Sequence, residues 1–556
     1  MDGEQTAWWK EPQLLCLLLV VFLAHAWRVD TVTIRGEEPR RIAIGQDMLR
    51  TGDWIVPRIQ GEPVHFRPPL QNWLIAFSIG VHGDASHWSV RLPGMLAVLL
   101  TCVWIYAYAR QFVGPLGAFT SAAAFATMVQ VLELGKLAET ESIFTLFICA
   151  SLLTWHLGLA RGWSDYRLWI TAYSLAGLGA LAKGMQAPVY LFTTTFVYLL
   201  WTGDWRRFVS VGHLLGLALF GCMFGLWFVP YWAQMGWDKA VLTVVGETTM
   251  RLDYSNSAEI VEHVWRYPLW VASCMLPWSI FLGAYLRSDF RTTIGLAQPM
   301  VHFMTIALAV AFPTCWIVPS ANARYFMPLY PCAALLIGLA VERSVLASED
   351  TSLRWHWTLF TGVMGIAVIG LGIGLVVAKV AGASSRVIDA QSTGDLLLFA
   401  VAALALGSMI IYFCRADHGA SLLALSVLVA LGGTLVYQNI IRHKSIDVET
   451  PVANLKQRLP DTTRLVSFGQ ANHRFAFYLN RPIDLAPWPK TESAQPAPDS
   501  YFCFEVDRPE KGPPEALPFA WEKIEVLWMD RYPDQVESFV VVGRRLPQGA
   551  LARGIP

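Results

Sequence analysis

The segment from Gly36 to Trp73, GEEPRRIAIGQDMLRTGDWIVPRIQGEPVHFRPPLQNW, is rich in carboxylates and guanidinium groups, although only 15% of the chain's residues are charged. Carboxylates can act as general bases, and arginine binds phosphate oxygens through charge-assisted hydrogen bonds. The candidate groups here are Glu37, Glu38, Arg40 and Arg67. A solvated helix surface whose charges balance one another would also explain the segment.

Further polar side chains interrupt or flank apolar runs later in the chain. They are Glu139, Glu141, Lys183, Glu247, Arg251, Arg324 and Tyr325. Ionisable groups at membrane depth are costly and usually mark function. If these groups meet on one face, the cations could absorb the charge of a departing phosphate, and a carboxylate could accept the proton of an attacking hydroxyl. The pattern therefore suits an anionic, lipid-linked substrate.

The composition predicts a polytopic membrane protein. The 556 residues are 54% hydrophobic, the mean hydropathy is +0.43, and soluble domains carry about 25% charged residues. The net charge is zero and there is no basic tail, so nucleic-acid binding is not expected. Nine cysteines occur singly without metal-ligand spacing, which argues against disulfides and zinc sites.

Apolar runs predict about thirteen membrane helices within a transmembrane domain of residues 1–440. The predicted spans are 12–27, 92–112, 115–132, 142–160, 168–182, 186–201, 209–232, 267–285, 300–318, 325–342, 356–378, 395–413 and 420–439. The arginines of the short loops indicate a cytoplasmic N-terminus by the positive-inside rule. Two long outer loops, 28–91 and 233–266, and the C-terminus then lie outside the membrane.

Residues 441–556 are expected to form a small soluble α/β domain on the outer face. Apolar runs of strand length, RLVSFG, RFAFYLN, YFCFEV, KIEVLWM and SFVVVG, alternate there with turns rich in Pro and Asp. In the first outer loop, Pro39–Thr51 is predicted to be an amphipathic helix that lies in the membrane interface.

The first outer loop resembles that of the aminoarabinose transferases and protein O-mannosyltransferases, which are membrane glycosyltransferases of the GT-C architecture. The similarity is strongest at GDWIVPRIQGEP and RPPLQNW. Further matching motifs are VRLPG (90–94), LAKG (181–184), LPWS (276–279) and RYFMPLYP (324–331). They follow the family order across roughly residues 1–340, and an ordered set of motifs is far more specific than any one of them.

The resemblance implies an inverting transfer of a sugar from a polyprenyl-phosphate donor to an acceptor on the outer face of a bacterial inner membrane. The resemblance does not fix the identity of the acceptor. It could be a lipid, as in lipid A modification, a protein, as in protein glycosylation, or another glycan. The implied catalytic residues are Glu37, Glu38 and Glu141. The expected donor phosphate-binding residues are Arg40, Arg67, Lys183, Arg251 and Tyr325.

Neither a cofactor nor a metal is expected, because the positions of the family's candidate metal ligands carry Phe66 and Thr248 here. A divalent cation stays an open alternative. Two other functions compete with transfer: a transporter or flippase of a lipid-linked sugar, and a catalytically degenerate membrane scaffold. In a transporter, charged residues would be expected near the middle of the membrane, and the two halves of the chain would resemble each other. Here the charges are predicted at the outer ends of the spans, and the sequence shows no internal repeat.

Overall fold

The computed structural model describes residues 8–249, 257–319, 321–347, 352–460, 464–490, 495–508, 513–530 and 538–547. The chain divides into two compact units. The first comprises Met1–Val29, His65–Gln71 and Arg91–Gln438, and the second comprises Asp30–Val64, Asn72–Val90 and Asn439–Pro556. Most of the first outer loop thus groups with the C-terminal segment, whereas the sequence suggests one boundary near residue 440.

Helices make up most of the described chain. They are α1 Pro12–Val21, α2 Glu38–Thr51, α3 Leu70–His82, α4 His87–Ala109, α5 Pro115–Thr127, α6 Val129–Leu134, α7 Thr140–Ala160, α8 Asp165–Lys183, α9 Gln186–Thr202, α10 Val211–Met235, α11 Trp237–Thr249, α12 Ser257–Cys274, α13 Ser288–Arg291, α14 Gln298–Trp316, α15 Tyr330–Leu346, α16 Ser352–Val380, α17 Arg386–Asp389, α18 Thr393–Phe413, α19 His418–Leu431, α20 Gln438–Lys444, α21 Glu449–Arg458 and α22 His473–Leu479. Short 3-10 or π segments include Phe22–Ala26, Trp205–Val209, Trp278–Leu286, Ala323–Leu329 and Gly432–Tyr437.

Within the described residues, nine helical segments are long and apolar enough to cross a membrane, or ten if one bent pair counts as a span. The predicted polytopic helical class is confirmed. Three of the predicted spans fall on α5, α8 and α9, which are helical but do not meet this criterion of length and hydropathy.

The span predicted over 267–285 is not one continuous helix. Two helical pieces, Ile260–Cys274 and Trp278–Leu286, meet there at 117°. Pro277 lies in the break, where a proline has no N–H to donate and cannot continue a helix from the preceding turn. The segment 233–266, expected to be a loop, contains α11 and the first half of α12.

Close helix packing holds the first unit together, as the contact between α5 and α15 illustrates. Gly338 of α15 leaves no room for a side chain, since a Cβ there would lie 2.4 Å from the carbonyl oxygen of Gly117. One turn later, the buried carboxylate of Glu342 accepts hydrogen bonds from the N–H groups of Gly114 (3.0 Å) and Gly117 (2.8 Å). It thereby satisfies donors that the start of α5 would otherwise leave unpaired.

In the second unit, α2 confirms the predicted helix to within one residue. Ile44 and Met48 are buried in a cluster with Ile59 of the short hairpin β1 (Arg58–Ile59) and β2 (Glu62–Pro63), and with Ala76. Part of the apolar side of α2 is therefore covered by protein, where the sequence suggests that it faces the membrane interface.

A five-stranded mixed sheet forms the centre of the C-terminal segment. Its strands are β3 Leu465–Phe468, β4 Ile483–Ala486, β5 Tyr501–Val506, β6 Trp521–Trp528 and β7 Phe539–Arg545, in the order β4-β3-β5-β7-β6. β3 pairs in parallel with β4 and β5, and β7 pairs antiparallel with β5 and β6. The predicted small α/β region is thus confirmed.

One predicted strand is a helix. RFAFYLN forms most of α22, because the side chain of Asn472 accepts hydrogen bonds from the N–H groups of Arg474 and Phe475 and so caps the helix start. Asn480 ends it in the left-handed conformation at φ 46°. The alternation of aromatic residues imitates a strand, but Phe475 and Leu479, four residues apart, are both buried on one side of the helix.

Candidate active site

Two carboxylates lie at the start of α7. Glu139 occupies the N-cap position with an extended backbone, and Glu141 is in the first helical turn, where negative charge complements the helix dipole. Both are almost fully buried, at 4% and 2% exposure. Carboxylates are rarely buried this deeply unless they are paired with cations.

The paired cations come from two other elements. The ammonium of Lys183, at the end of α8, lies 3.2 Å from Oε1 of Glu141. Nη1 of Arg324 lies 3.0 Å from Oε2 of Glu139, and its Nε lies 3.9 Å from Oε1 of Glu141. Residues almost 200 positions apart therefore share one charged cluster.

Arg67 joins the same cluster through a hydroxyl group. Its Nη1 donates a hydrogen bond of 2.6 Å to Oγ1 of Thr140, and that hydroxyl donates to Oε2 of Glu141 at 3.4 Å. Arg67 is 6% exposed. The ring of Tyr325 lies 5.0 Å from the ammonium of Lys183, within the range of a cation–π interaction.

Local backbone geometry fixes the position of Lys183. Gly184 caps α8 at φ +108°, a conformation that residues with a Cβ rarely adopt. A cation in the last turn also interacts favourably with the negative end of the helix dipole. On the other side, the side chain of Asn322 accepts a hydrogen bond from the N–H of Arg324 at 3.2 Å and starts the Ala323–Leu329 segment.

These side chains border a cavity of about 400 Å³. Its lining residues are Phe66, Arg67, Lys183, Met185, Gln186, Val189, Tyr190, Thr243, Val244, Val245, Thr314, Cys315, Val318, Ala321 and Tyr325. Two cations and two tyrosines are thus combined with a predominantly apolar wall. Val189 and Val245 are 46% and 39% exposed, so the wall includes residues at the surface of the unit. This lining suits an amphiphile with an anionic head group.

The second unit contains the other acidic candidates. Glu38 is fully buried, and its Oε2 accepts a hydrogen bond of 3.1 Å from the N–H of Arg35. Glu37 occupies the N-cap position of α2 and forms an ion pair with Arg40, and its side chain retains 37% exposure. Of the two neighbouring carboxylates, Glu37 is the one accessible to a substrate hydroxyl.

The structure thus brings Arg67, Glu141, Lys183 and Tyr325 together in the first unit, and Glu37, Glu38 and Arg40 in the second. Arg251 and the side chain of Glu247 lie outside the described residues. The sequence places Glu139 and Arg324 among the converging polar groups without a specific role, and it gives Thr140 no role. Glu139 and Arg324 are visible in the sequence as charges beside apolar runs, but a lone threonine between two glutamates gives no signal of its bridging contact.

Comparisons with known proteins bear on the fold and on the family that the chain resembles. A family model described as dolichyl-phosphate-mannose-protein mannosyltransferase matches residues 66–232. The crystal structure of ArnT from Cupriavidus metallidurans bound to undecaprenyl phosphate superposes with a TM-score of 0.69 at 16% identity, covering 96% of this chain and 98% of that one. The fold is that of ArnT. The apo state of the same ArnT gives the same TM-score at 17% identity.

Curated proteins of similar sequence belong to the same class of transferase. An undecaprenyl phosphate-alpha-4-amino-4-deoxy-L-arabinose arabinosyl transferase from Pseudomonas paraeruginosa is 26% identical over 347 residues, which span 60% of this chain and 60% of that relative. One from Edwardsiella ictaluri is 24% identical over 428 residues, or 73% of each chain. The matched region thus covers about three fifths of the first of these relatives. The resemblance predicted from the first outer loop is confirmed.

Proposed function

We propose that the protein is an inner-membrane glycosyltransferase that moves a sugar from a polyprenyl-phosphate donor to an acceptor at the outer face, with inversion at the anomeric carbon. The observation that carries the proposal is the cavity in which Arg67, Lys183 and Tyr325 meet an apolar wall. Its chemistry fits a lipid phosphate, and the chain shares its fold with an ArnT crystallised with undecaprenyl phosphate.

The charge balance of the cluster supports this role. Arg67, Lys183 and Arg324 are three cations, and Glu139 and Glu141 are two carboxylates, so the cluster carries one excess positive charge. A sugar-linked lipid phosphate is a monoanionic diester, and the lipid phosphate gains negative charge as the bond to the sugar breaks. Cations already fixed in a poorly solvated site stabilise that developing charge without reorganising.

In the proposed reaction, the acceptor oxygen forms a bond to the anomeric carbon while the bond from that carbon to the phosphate oxygen breaks. Glu37 takes the acceptor's proton, and Arg67 and Lys183 bind the departing lipid phosphate. Arg251 joins them by the family resemblance. Glu141 is paired with Lys183 and linked to Arg67 through Thr140. We therefore assign it a positioning role rather than contact with the acceptor.

The proposed topology places the N-terminus in the cytoplasm and residues 441–556 in the periplasm, as the distribution of basic residues in the loops predicts. Donor and acceptor then meet outside the cytoplasmic nucleotide pool, where a sugar carried on a lipid phosphate is available without a nucleotide.

The direct test uses the purified protein in nanodiscs with radiolabelled undecaprenyl-phosphate sugars and an extract of envelope lipids and glycans as acceptors. Transfer should convert label into a new product and release free undecaprenyl phosphate in equal amount. Movement of the intact donor across the bilayer without release of lipid phosphate would instead indicate a flippase. If the protein neither transferred the sugar nor moved the donor across the bilayer, with any donor, it would be a scaffold.

A further inference from the structure

A polar cleft in the second unit is lined by none of the residues assigned to the donor. It has a volume of about 290 Å³, near the lower end of the roughly 300–1,000 Å³ typical of small-molecule sites. Its lining residues are Ala43, Gln46, Asp47, Arg50, Ile59, Gln60, Ala471, His473, Ala476, Asn480, Arg481, Pro482, Ile483 and Asp484. One wall is therefore α2, and the other is formed by α22 and the start of β4.

The formal charges of the cleft lining sum to zero, because Arg50 and Arg481 balance Asp47 and Asp484. Arg50 pairs with Asp47 at 2.6 Å. Arg481 donates hydrogen bonds to backbone carbonyl oxygens, among them those of Pro460 at 2.8 Å and Lys456 at 3.2 Å. Burial and the nearby charge of Arg40 lower the pKa of His473, which keeps its ring neutral at neutral pH. The cleft therefore suits an uncharged ligand.

Two lining residues have buried polar atoms without a hydrogen-bond partner among the described residues. Oε1 of Gln60 accepts from the N–H of Ala471 at 2.9 Å, but Nε2 of Gln60 and Nδ1 of His473 have no partner there. Buried polar groups in proteins are nearly always hydrogen-bonded. Gln60 also adopts φ 52°, a left-handed conformation that costs energy in a residue with a Cβ and clusters at functional sites.

The remaining lining supplies apolar surface between the polar groups. Ala43, Ile59, Ala476 and Pro482 present small or flat surfaces. A sugar ring needs this combination, because each hydroxyl both donates and accepts hydrogen bonds while the ring C–H groups require apolar contact. Amide side chains such as that of Gln46 offer donors and acceptors together.

We propose that this cleft binds a neutral sugar residue of the acceptor, so that the acceptor is a glycan or glycolipid. The inference rests on the proposed transferase function. Glu37, the assigned base, starts the same helix whose residues Ala43 to Asp47 line the cleft. At about 1.5 Å per residue, the cleft lies about 9–15 Å along the axis from Glu37, a spacing that leaves room for the attacking sugar beyond the bound one.

A peptide is the competing occupant, because β4 is an edge strand and an extended peptide could pair with it. The small volume and the amide-rich lining favour a single ring over an extended chain.

Saturation-transfer NMR on the full-length protein in nanodiscs tests the cleft without any donor. The probes are glucose, galactose, mannose and N-acetylglucosamine, their β-linked disaccharides, and an uncharged glycine–serine peptide. At least one sugar should receive saturation from the wild type and from the control variant Gln457→Ala, a change of an exposed amide on α21.

Two variants alter the cleft itself. Gln46→Ala removes one amide on a helix in which alanine is well tolerated, and losing one hydrogen bond should weaken sugar binding roughly three- to tenfold. Ala476→Leu fills the space and should abolish binding. Equal binding in all variants, no sugar binding in the wild type, or binding of the peptide alone would overturn the proposal. Sugar binding without any release of lipid phosphate by the wild type would support the cleft but refute the transferase.

Discussion

At the residue scale, the central feature is a set of buried charges that depend on one another. Lys183 and Glu141 are 8% and 2% exposed in their side chains, so each has lost most of its hydration and relies on its partner. Such a pair adds little net stability, but removing one member leaves an uncompensated charge that costs about 3–5 kcal/mol. The pair is therefore better explained by its role in the site than by stability.

This dependence predicts a specific pattern of stability. Lys183→Met and Glu141→Gln should each destabilise the protein, and the double variant should recover part of the loss, because neither member of the pair is then left without the other. Thermal unfolding in detergent measures all three. Additive losses in the double variant would show that the two side chains do not form a functional pair.

Arg67 should act on the donor rather than on stability. Arg67→Met removes a cation from the lipid-phosphate cavity and should lower kcat/KM for the donor about 10- to 100-fold, the value of one or two charge-assisted hydrogen bonds. Arg67→Lys should retain part of the activity, because the charge remains without the planar fork.

Arg415→Met provides the matched control, since Arg415 is exposed and is not one of the residues that line the cavity. Its donor kinetics should equal those of the wild type. If Arg415→Met and Arg67→Met reduced donor kinetics alike, the effect would be one of general charge, and the assignment of Arg67 would fail.

At the element scale, the packing of the helices depends on small residues at the points where two helices touch. Gly338→Ala should lower the melting temperature, because its Cβ would lie 1.9 Å from Oγ of Ser121 and would push α5 and α15 apart. Gly362→Ala in α16 is the control, since a Cβ there meets nothing within 4 Å, and alanine favours a helix. If Gly338→Ala and Gly362→Ala changed the melting temperature equally, the close packing of α5 against α15 would be contradicted.

The stability of α22 should depend on pH through His473. Its pKa in the folded protein lies below its ordinary value because of burial and the charge of Arg40. The unfolded chain therefore binds the proton more tightly. Neutral His473 therefore costs the folded state no stability above about pH 6.5. As the pH falls from there towards the lower pKa of the folded state, the unfolded chain takes up the proton first, and the free energy of unfolding decreases.

Hydrogen exchange of the peptide containing α22, corrected for intrinsic rates, measures this loss. Protection should fall on acidification in the wild type and change less in His473→Gln, which cannot titrate. The same acid response in both proteins would exclude His473 as its cause.

The sequence predicts the elements that have a clear apolar pattern or characteristic residues at their ends. It does not predict the elements whose conformation depends on contacts with distant residues. Pro39 and Gly52 mark the ends of α2, and long apolar runs mark the spans. RFAFYLN was misassigned because alternating aromatic residues favour a strand, whereas the cap from Asn472 selects a helix. The bend before Trp278 also lies within a continuous apolar run, where only Pro277 indicates a break.

At the scale of the whole molecule, the ordered motifs predict the fold and most members of the charged cluster, because a shared architecture preserves their order along the chain. The partners of each charge were not predictable. Arg324 pairs with Glu139, and Thr140 connects Arg67 to Glu141, through contacts that join residues far apart in sequence. Only the folded arrangement reveals which carboxylates position cations and which one stays accessible.

The most direct test of the central claim is the Glu37→Gln variant, compared with the wild type for both donor binding and sugar transfer. The amide keeps the shape of the side chain but cannot take a proton, so transfer should fall by at least about 100-fold, the usual contribution of a general base. The Kd for the undecaprenyl-phosphate sugar should stay close to the wild-type value. Full transfer activity in Glu37→Gln would contradict the proposed mechanism.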